Sequence, residues 1–136
     1  MTKLLTPSGD FSLVTFEKES EFENIIVKNA KSIFGQDTIY LDVKKRIGKT
    51  KPIQTIPDGF LIDISAPNAP KLFVIENEIV SHDPFRHIGI QLLSFATSFG
   101  QRSQAIKNII YKGITEDKNH NDCMSSKRIG LTDALN

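Results

Sequence analysis

The sequence predicts an α/β domain in which a central β-sheet is flanked by α-helices. Three runs of strand character follow one another (38–47, 56–64 and 71–80), and segments with helical spacing lie on either side of them (19–34, 84–99 and 103–114). At 136 residues the chain holds one domain with a real hydrophobic core and is too short for two. A composition of 39% hydrophobic and 24% charged residues excludes a disordered or fibrous chain.

Residues 1–18 mix Thr, Ser, Pro and Gly with Phe11, Leu13, Val14 and Phe16, a partial alternation that predicts an extended lead-in with one edge strand. The first helix begins near Glu19. Ser20 and Glu23 have the spacing of a capping box, Phe22, Ile25, Ile26, Ala30, Ile33 and Phe34 follow the helical period, and Gly35 is a C-terminal stop. Ile39, Leu41 and Val43 then alternate with polar residues, as in a strand with one wet face. A basic turn, 48–52, leads to the second strand, whose Pro57 and Gly59 mark an edge or bulge. After Ala66 to Pro70 the third strand runs from Lys71 to Val80.

Pro84 opens the next helix at a favoured early position, with Asp83 as its N-cap. Phe85, Ile88, Leu92, Phe95, Ala96 and Phe99 give it a broad apolar face to lay over the sheet, and Gly100 ends or kinks it. A further helix, 103–114, carries Ala105, Ile106, Ile109 and Ile110 at helical spacing, and the polar stretch 116–126 reads as a loop. Leu131 to Asn136 has the character of a helix interior, so the sequence reads as the N-terminal part of a longer protein.

No run of apolar residues is long enough for a membrane span and no secretory leader is apparent, which predicts a cytoplasmic protein with no membrane partner. Cys123 is the sole cysteine, so an internal disulfide and a thiolate zinc cage are excluded. A net charge of +1 gives no global attraction for nucleic acid, and any such attraction must be local. Lys44, Lys45, Arg46, Lys49 and Lys51 form one basic cluster, and Arg102, Lys107 and Lys112 another. Either set is also what a solvated face looks like.

The informative residues are acids placed where a buried strand would carry apolar side chains. Glu76 and Glu78 follow Leu72-Phe73-Val74-Ile75 directly and, two apart on a strand, share a face. Two like charges there repel unless a cation lies between them. If the second and third strands pair as an antiparallel hairpin, Asp58 approaches the same end. Acidic oxygens suit Mg²⁺ or Mn²⁺ better than zinc, and such a metal activates water and neutralises charge on a phosphodiester. The competing reading of Asp58 is a plain Pro-Asp-Gly turn, and that of Glu76 and Glu78 is a salt-bridged edge-strand pair.

A helix with acidic residues, Pro57-Asp58 opening a strand, a hairpin to Glu76-Asn77-Glu78 and a helix carrying Gln91 together resemble the PD-(D/E)XK nuclease superfamily. The resemblance spans about residues 19–99 and rests on the order of the motifs and the eighteen residues from Asp58 to Glu76. It implies a restriction-endonuclease-like core with a mixed central β-sheet, DNA as substrate, Mg²⁺ or Mn²⁺ as cofactor, and a role in prokaryotic restriction, repair or defence. Asp58 and Glu76 would be metal ligands, with Glu23 as a third from the first helix and Glu19 behind it. Glu78 stands where the family usually has lysine, which suits a general base. Gln91 resembles the helix glutamine of the RecB-like branch, with Phe95 where a tyrosine usually follows.

Lys44 and Lys45 are candidates for backbone-phosphate contacts. His82 and His87 are accessory candidates, for which capping and packing are equally available roles. His120 is assigned nothing. Double-strand cleavage by one motif set would call for a homodimer. The alternatives are a nuclease fold without activity that binds DNA or a protein, and an interaction domain whose acids meet a partner's basic groups.

Overall fold

The computed structural model describes residues 3–43, 57–79 and 83–127, and of residues 3–5, 84, 86–87 and 98–102 only the backbone. The elements are β1 (Lys3–Thr6), β2 (Gly9–Ser12), α1 (Glu19–Phe34), β3 (Thr38–Asp42), β4 (Gly59–Asp63), β5 (Lys71–Ile75), α2 (Pro84–Thr115) and α3 (Lys118–Ser126). The chain is thus α/β, with a three-stranded sheet in the order β3-β4-β5. Both of its pairings are antiparallel, so among the described residues the sheet is not the mixed one expected. For β4 and β5 the connection explains this: seven residues from Ile64 to Pro70 separate them, enough for a hairpin and too few for a crossover to a parallel strand.

The lead-in is a hairpin rather than one edge strand. β1 pairs antiparallel with β2 around Pro7-Ser8, and the Thr6 hydroxyl donates to the Gly9 carbonyl at 3.0 Å. The α1 limits agree with the spacing of its apolar residues. Its capping box does not form: the helix starts early enough that Lys18 is the N-cap and Ser20 is already inside it. Gly35 stops it at φ 108°, where a side chain would be strained, while its N–H bonds the Lys31 carbonyl at 3.0 Å.

Ile39, Leu41 and Val43 meet Phe60, Ile62 and Ile64 across the β3–β4 pair and form the core with Phe95, Ile106, Ile110, Ile114 and Met124. Burying a side chain of this size contributes roughly 1.5–3 kcal/mol. The other face of β3 was expected to be wet, yet Thr38 and Tyr40 are buried too. The cause is α1, whose Phe22, Ile26, Ala30 and Phe34 are half-buried at four-residue spacing. Phe34 stacks on Tyr40 with ring centroids 5.7 Å apart.

α2 continues through Gly100 to Thr115 as one helix, because packing of Phe95 on one side and Ile106 on the other outweighs the ~1 kcal/mol helix penalty of glycine. Its start matches the sequence: the Asp83 carboxylate accepts from the Phe85 N–H at 3.0 Å. Its apolar face does not. Of the residues expected to cover the sheet, Phe85, Leu92 and Ala96 are exposed and Phe95 is buried, and the face over the sheet is formed by Phe95 with Ile106, Ile110 and Ile114. The expected loop at 116–126 is mostly α3, since Asp117 caps it by accepting from the Asn119 and His120 N–H groups and Met124 anchors it in the core. His120 lies against α2, its Nδ1 3.3 Å from the Gly113 carbonyl oxygen.

Candidate functional site

The β3-β4-β5 register decides which residues meet. Asp42 pairs with Gly59, and Gly59 with Ile75. One step further along the same register stand Val43, Asp58 and Glu76. The Val43 N–H bonds the Asp58 carbonyl at 3.1 Å, so Asp58 prolongs the middle strand's backbone beyond its last paired residue. On the other side, Asp58 Oδ2 accepts the Asn77 backbone N–H at 2.6 Å. The hairpin therefore brings Asp58 to the Glu76-Asn77-Glu78 segment, eighteen to twenty residues away in sequence. This is not a bare Pro-Asp-Gly turn, for Pro57 and Asp58 are both buried.

The third strand ends at Ile75, so Glu76 to Ile79 leave the ladder instead of continuing it to Val80. The N–H of Asn77 is taken by a side chain, the Asp58 carboxylate, which replaces a cross-strand carbonyl at that point. Burial still alternates: Asn77 and Ile79 are buried while Glu76 and Glu78 are half-buried. Glu76 keeps Oε1 in the interior. Glu78 Oε1 accepts the N–H of its own neighbour Ile79 at 3.2 Å.

Tyr40 is the member of the site that the sequence did not disclose. Asn77 Nδ2 donates to its hydroxyl at 3.3 Å, and its ring passes so close to Gly59 that an added Cβ would lie 2.6 Å from the hydroxyl oxygen. Only glycine fits there. Burial pushes the Tyr40 phenol above its ordinary value, and the carboxylates of Asp42, Asp58 and Glu23 push the same way against the opposing Asn77 bond. The acids whose charge bears on this buried hydroxyl come from α1, from β3 and from the residue that precedes β4. The available signals were Gly59 inside a strand pattern and Asp42 two residues from Tyr40, hence on its face of β3.

Glu23 is half-buried on the side of α1 that faces the sheet, together with Glu19, whereas Glu21 is exposed, in keeping with the four-residue spacing. Gln91 is half-buried on α2. Lys44, Lys45 and His82 lie outside the described residues, as do the ends of the second and third predicted strands at Ile56 and Val80, and the same holds for the side chain of His87.

Among the described residues no three His, Cys, Asp or Glu side chains are gathered as a ready-made metal cage. Mg²⁺ does not require one, because it retains several waters and takes one or two carboxylates with substrate phosphate completing its shell. Asp58 and Glu76, each one position beyond the paired residues Gly59 and Ile75 and with a buried oxygen on Glu76, would supply donors of that chemistry. Among the described residues no helix is long and apolar enough to cross a membrane. No protein-family model, curated protein or solved structure matches the chain.

Proposed function

We propose that this chain is a metal-dependent nuclease that hydrolyses DNA phosphodiester bonds, built on a restriction-endonuclease-like core. The observation that carries the reading is the closure of Asp58 onto the Glu76-Asn77-Glu78 segment, with the 2.6 Å bond from the Asn77 N–H to Asp58 Oδ2. Asp58 and Glu76 would hold Mg²⁺ or Mn²⁺, joined by Glu23 from α1. When bound, the metal neutralises charge on the phosphodiester and makes water more acidic.

The chain's own residues do the rest. The Asn77 N–H fixes one Asp58 oxygen and leaves the carboxylate's remaining lone pairs in a set direction. Glu78 accepts the proton of the attacking water in the position where lysine is usual. Gln91 supports the site from α2, and Lys44 and Lys45 would meet backbone phosphates. Double-strand cleavage would go with a homodimer, and DNA as substrate with a cytoplasmic location.

The test is cleavage of plasmid and linear DNA in Mg²⁺, Mn²⁺ or EDTA by the parent, Asp58→Ala and Glu76→Ala proteins. Metal-dependent cleavage lost in both variants is expected. Cleavage that survives either substitution removes the assignment. The glutamate in the lysine position favours one second reading, an inactive nuclease fold that binds DNA or a protein. Absence of both cleavage and Mn²⁺ binding would select it.

A further inference from the structure

Glu78 faces two ways. Besides following Asn77 at the candidate site, it lines a cavity of about 510 Å³ together with the extended segment from Leu13 to Phe16, Phe22 of α1 and Ile79. The volume lies within the roughly 300–1,000 Å³ range of small-molecule sites. The walls are hydrocarbon and aromatic. Phe16 and Phe22 stand with ring centroids 5.3 Å apart at 42°. Leu13 and Val14 are 68% and 64% exposed, so an occupant would remove costly apolar surface from water. Among the described residues, Glu78 is the cavity's one charged lining residue.

We propose that this cavity receives one unpaired nucleobase of the substrate strand, so that single-stranded or locally opened DNA is the preferred substrate. The proposal rests on the nuclease reading and adds the substrate class to it. A base is flat, uncharged and apolar on its faces, which matches the aromatic and aliphatic walls. Its edge carries N–H donors, and an ionised Glu78 is an acceptor only. Phosphate does not suit this cavity, whose lining is mostly apolar and offers it a carboxylate. A base in duplex DNA is stacked and paired and cannot enter, whereas an unpaired base can be turned in.

The same chemistry sets an order among bases. Cytosine, adenine and guanine present amino groups that a carboxylate can accept from. Thymine presents one N–H between two carbonyls, which the carboxylate repels. Oligo-dC should therefore bind better than oligo-dT.

The test is fluorescence anisotropy with labelled oligo-dC, oligo-dT and a duplex of equal length, in Mg²⁺, on the Asp58→Ala protein to hold cleavage off. Oligo-dC should bind about tenfold or more tighter than the duplex, the scale of one stacked base. Adding Leu13→Trp, which fills the cavity from an exposed position, should abolish that advantage, with circular dichroism checking the fold. Glu78→Gln, able to donate as well as accept, should narrow the gap between oligo-dC and oligo-dT. Equal binding of single strand and duplex, or single-strand binding unchanged by Leu13→Trp, overturns the proposal.

Cleavage by the unsubstituted catalytic site is read separately. Metal-dependent cutting of single and double strands alike, indifferent to Leu13→Trp, sinks the base site and leaves the nuclease reading standing. Cavity-dependent binding of single strands without any cleavage keeps the base site and removes the hydrolysis.

Discussion

The two ends of the central sheet handle acidic side chains differently. At the end where Thr38, Asp63 and Lys71 lie in register, the acids sit near solvent and beside cations. Asp37 is 2.8 Å from the Lys127 ammonium, and Lys71 is among the groups that lower the Asp63 pKa. Lys31 closes the same end by donating to the Gln36 and Thr38 carbonyls. At the opposite end, where Asp42, Gly59 and Ile75 are in register, Asp58 is buried and accepts the Asn77 N–H, and the carboxylates of Asp42, Asp58 and Glu23 add to the burial that raises the Tyr40 pKa. One end spends its charges on structure. The other buries its aspartate, Asp58, against a backbone N–H of the neighbouring segment, where a carboxylate is costly unless it is hydrogen-bonded.

The sharpest way to break this comparison is to delete one aspartate from each end. Asp58→Ala strands the buried Asn77 N–H and should lower unfolding stability by about 1–3 kcal/mol, read in urea at neutral pH. Asp63→Ala removes an exposed turn contact to Ser65 and the attraction of Lys71, and should lower the urea midpoint far less. Equal losses from the two substitutions would show that the ends are not distinct.

Gly59→Ala tests the same end from the backbone. Its Cβ would meet the Tyr40 hydroxyl and Cζ at 2.6 and 2.7 Å, and the ring cannot retreat because Phe34 stacks on it. A cost of about 1–3 kcal/mol is expected. Gly89, with open space around its Cα in α2, is the control: alanine there should stabilise by roughly 0.5–1 kcal/mol. If Gly59→Ala is as harmless as Gly89→Ala, Tyr40 is not clamped.

Tyr40 also gives the site an alkaline signature. Its native pKa is raised, so the unfolded chain releases the phenol proton first as pH climbs past ~10, and stability falls until the native phenol ionises. The contribution is complete below the unfolded value and is lost above it. Tyr40→Phe should therefore flatten the decline of stability above that pH. With Tyr111→Phe leaving a single tyrosine, ultraviolet absorbance follows the Tyr40 titration directly. Asp58→Asn should move it downward by removing one of the surrounding negative charges.

The sequence revealed the elements whose burial is one-sided and local. α1 was legible in its extent and its C-terminal stop, though not in its N-cap, because Phe22, Ile26, Ala30 and Phe34 make a stripe and Gly35 closes it. The approach of Asp58 to the Glu76-Asn77-Glu78 segment was legible because a hairpin between the second and third strands brings those ends together. What escaped was tertiary. Tyr40 sits in the row taken for a wet face, and only the covering of β3 by α1 buries it. α3 was passed over because its interior is polar, although Asp117 stood ready as an N-cap and Met124 carries the packing. The exposed Phe85 and Leu92 of α2 show the reverse error, since apolar spacing says which residues share a face and not whether anything covers it.

The smallest expected effect separates the two ends most cleanly. Asp63 has a lowered pKa chiefly because the Ser65 side chain, and then its backbone N–H, bond to the carboxylate. Ionised Asp63 thus favours the native state at neutral pH, and that preference fades as pH falls through the native value. Ser65→Ala removes the hydroxyl and keeps the backbone bond at 2.9 Å, so the pKa should rise only partway toward its ordinary value, followed by carboxyl carbon NMR. The loss belongs to a two-residue turn in solvent, with no buried charge to pass it on. The Tyr40 titration in the same protein should not move. A shift there would mean that charge at the exposed end is felt through the sheet by the acids around the phenol, and the division between the ends would fail.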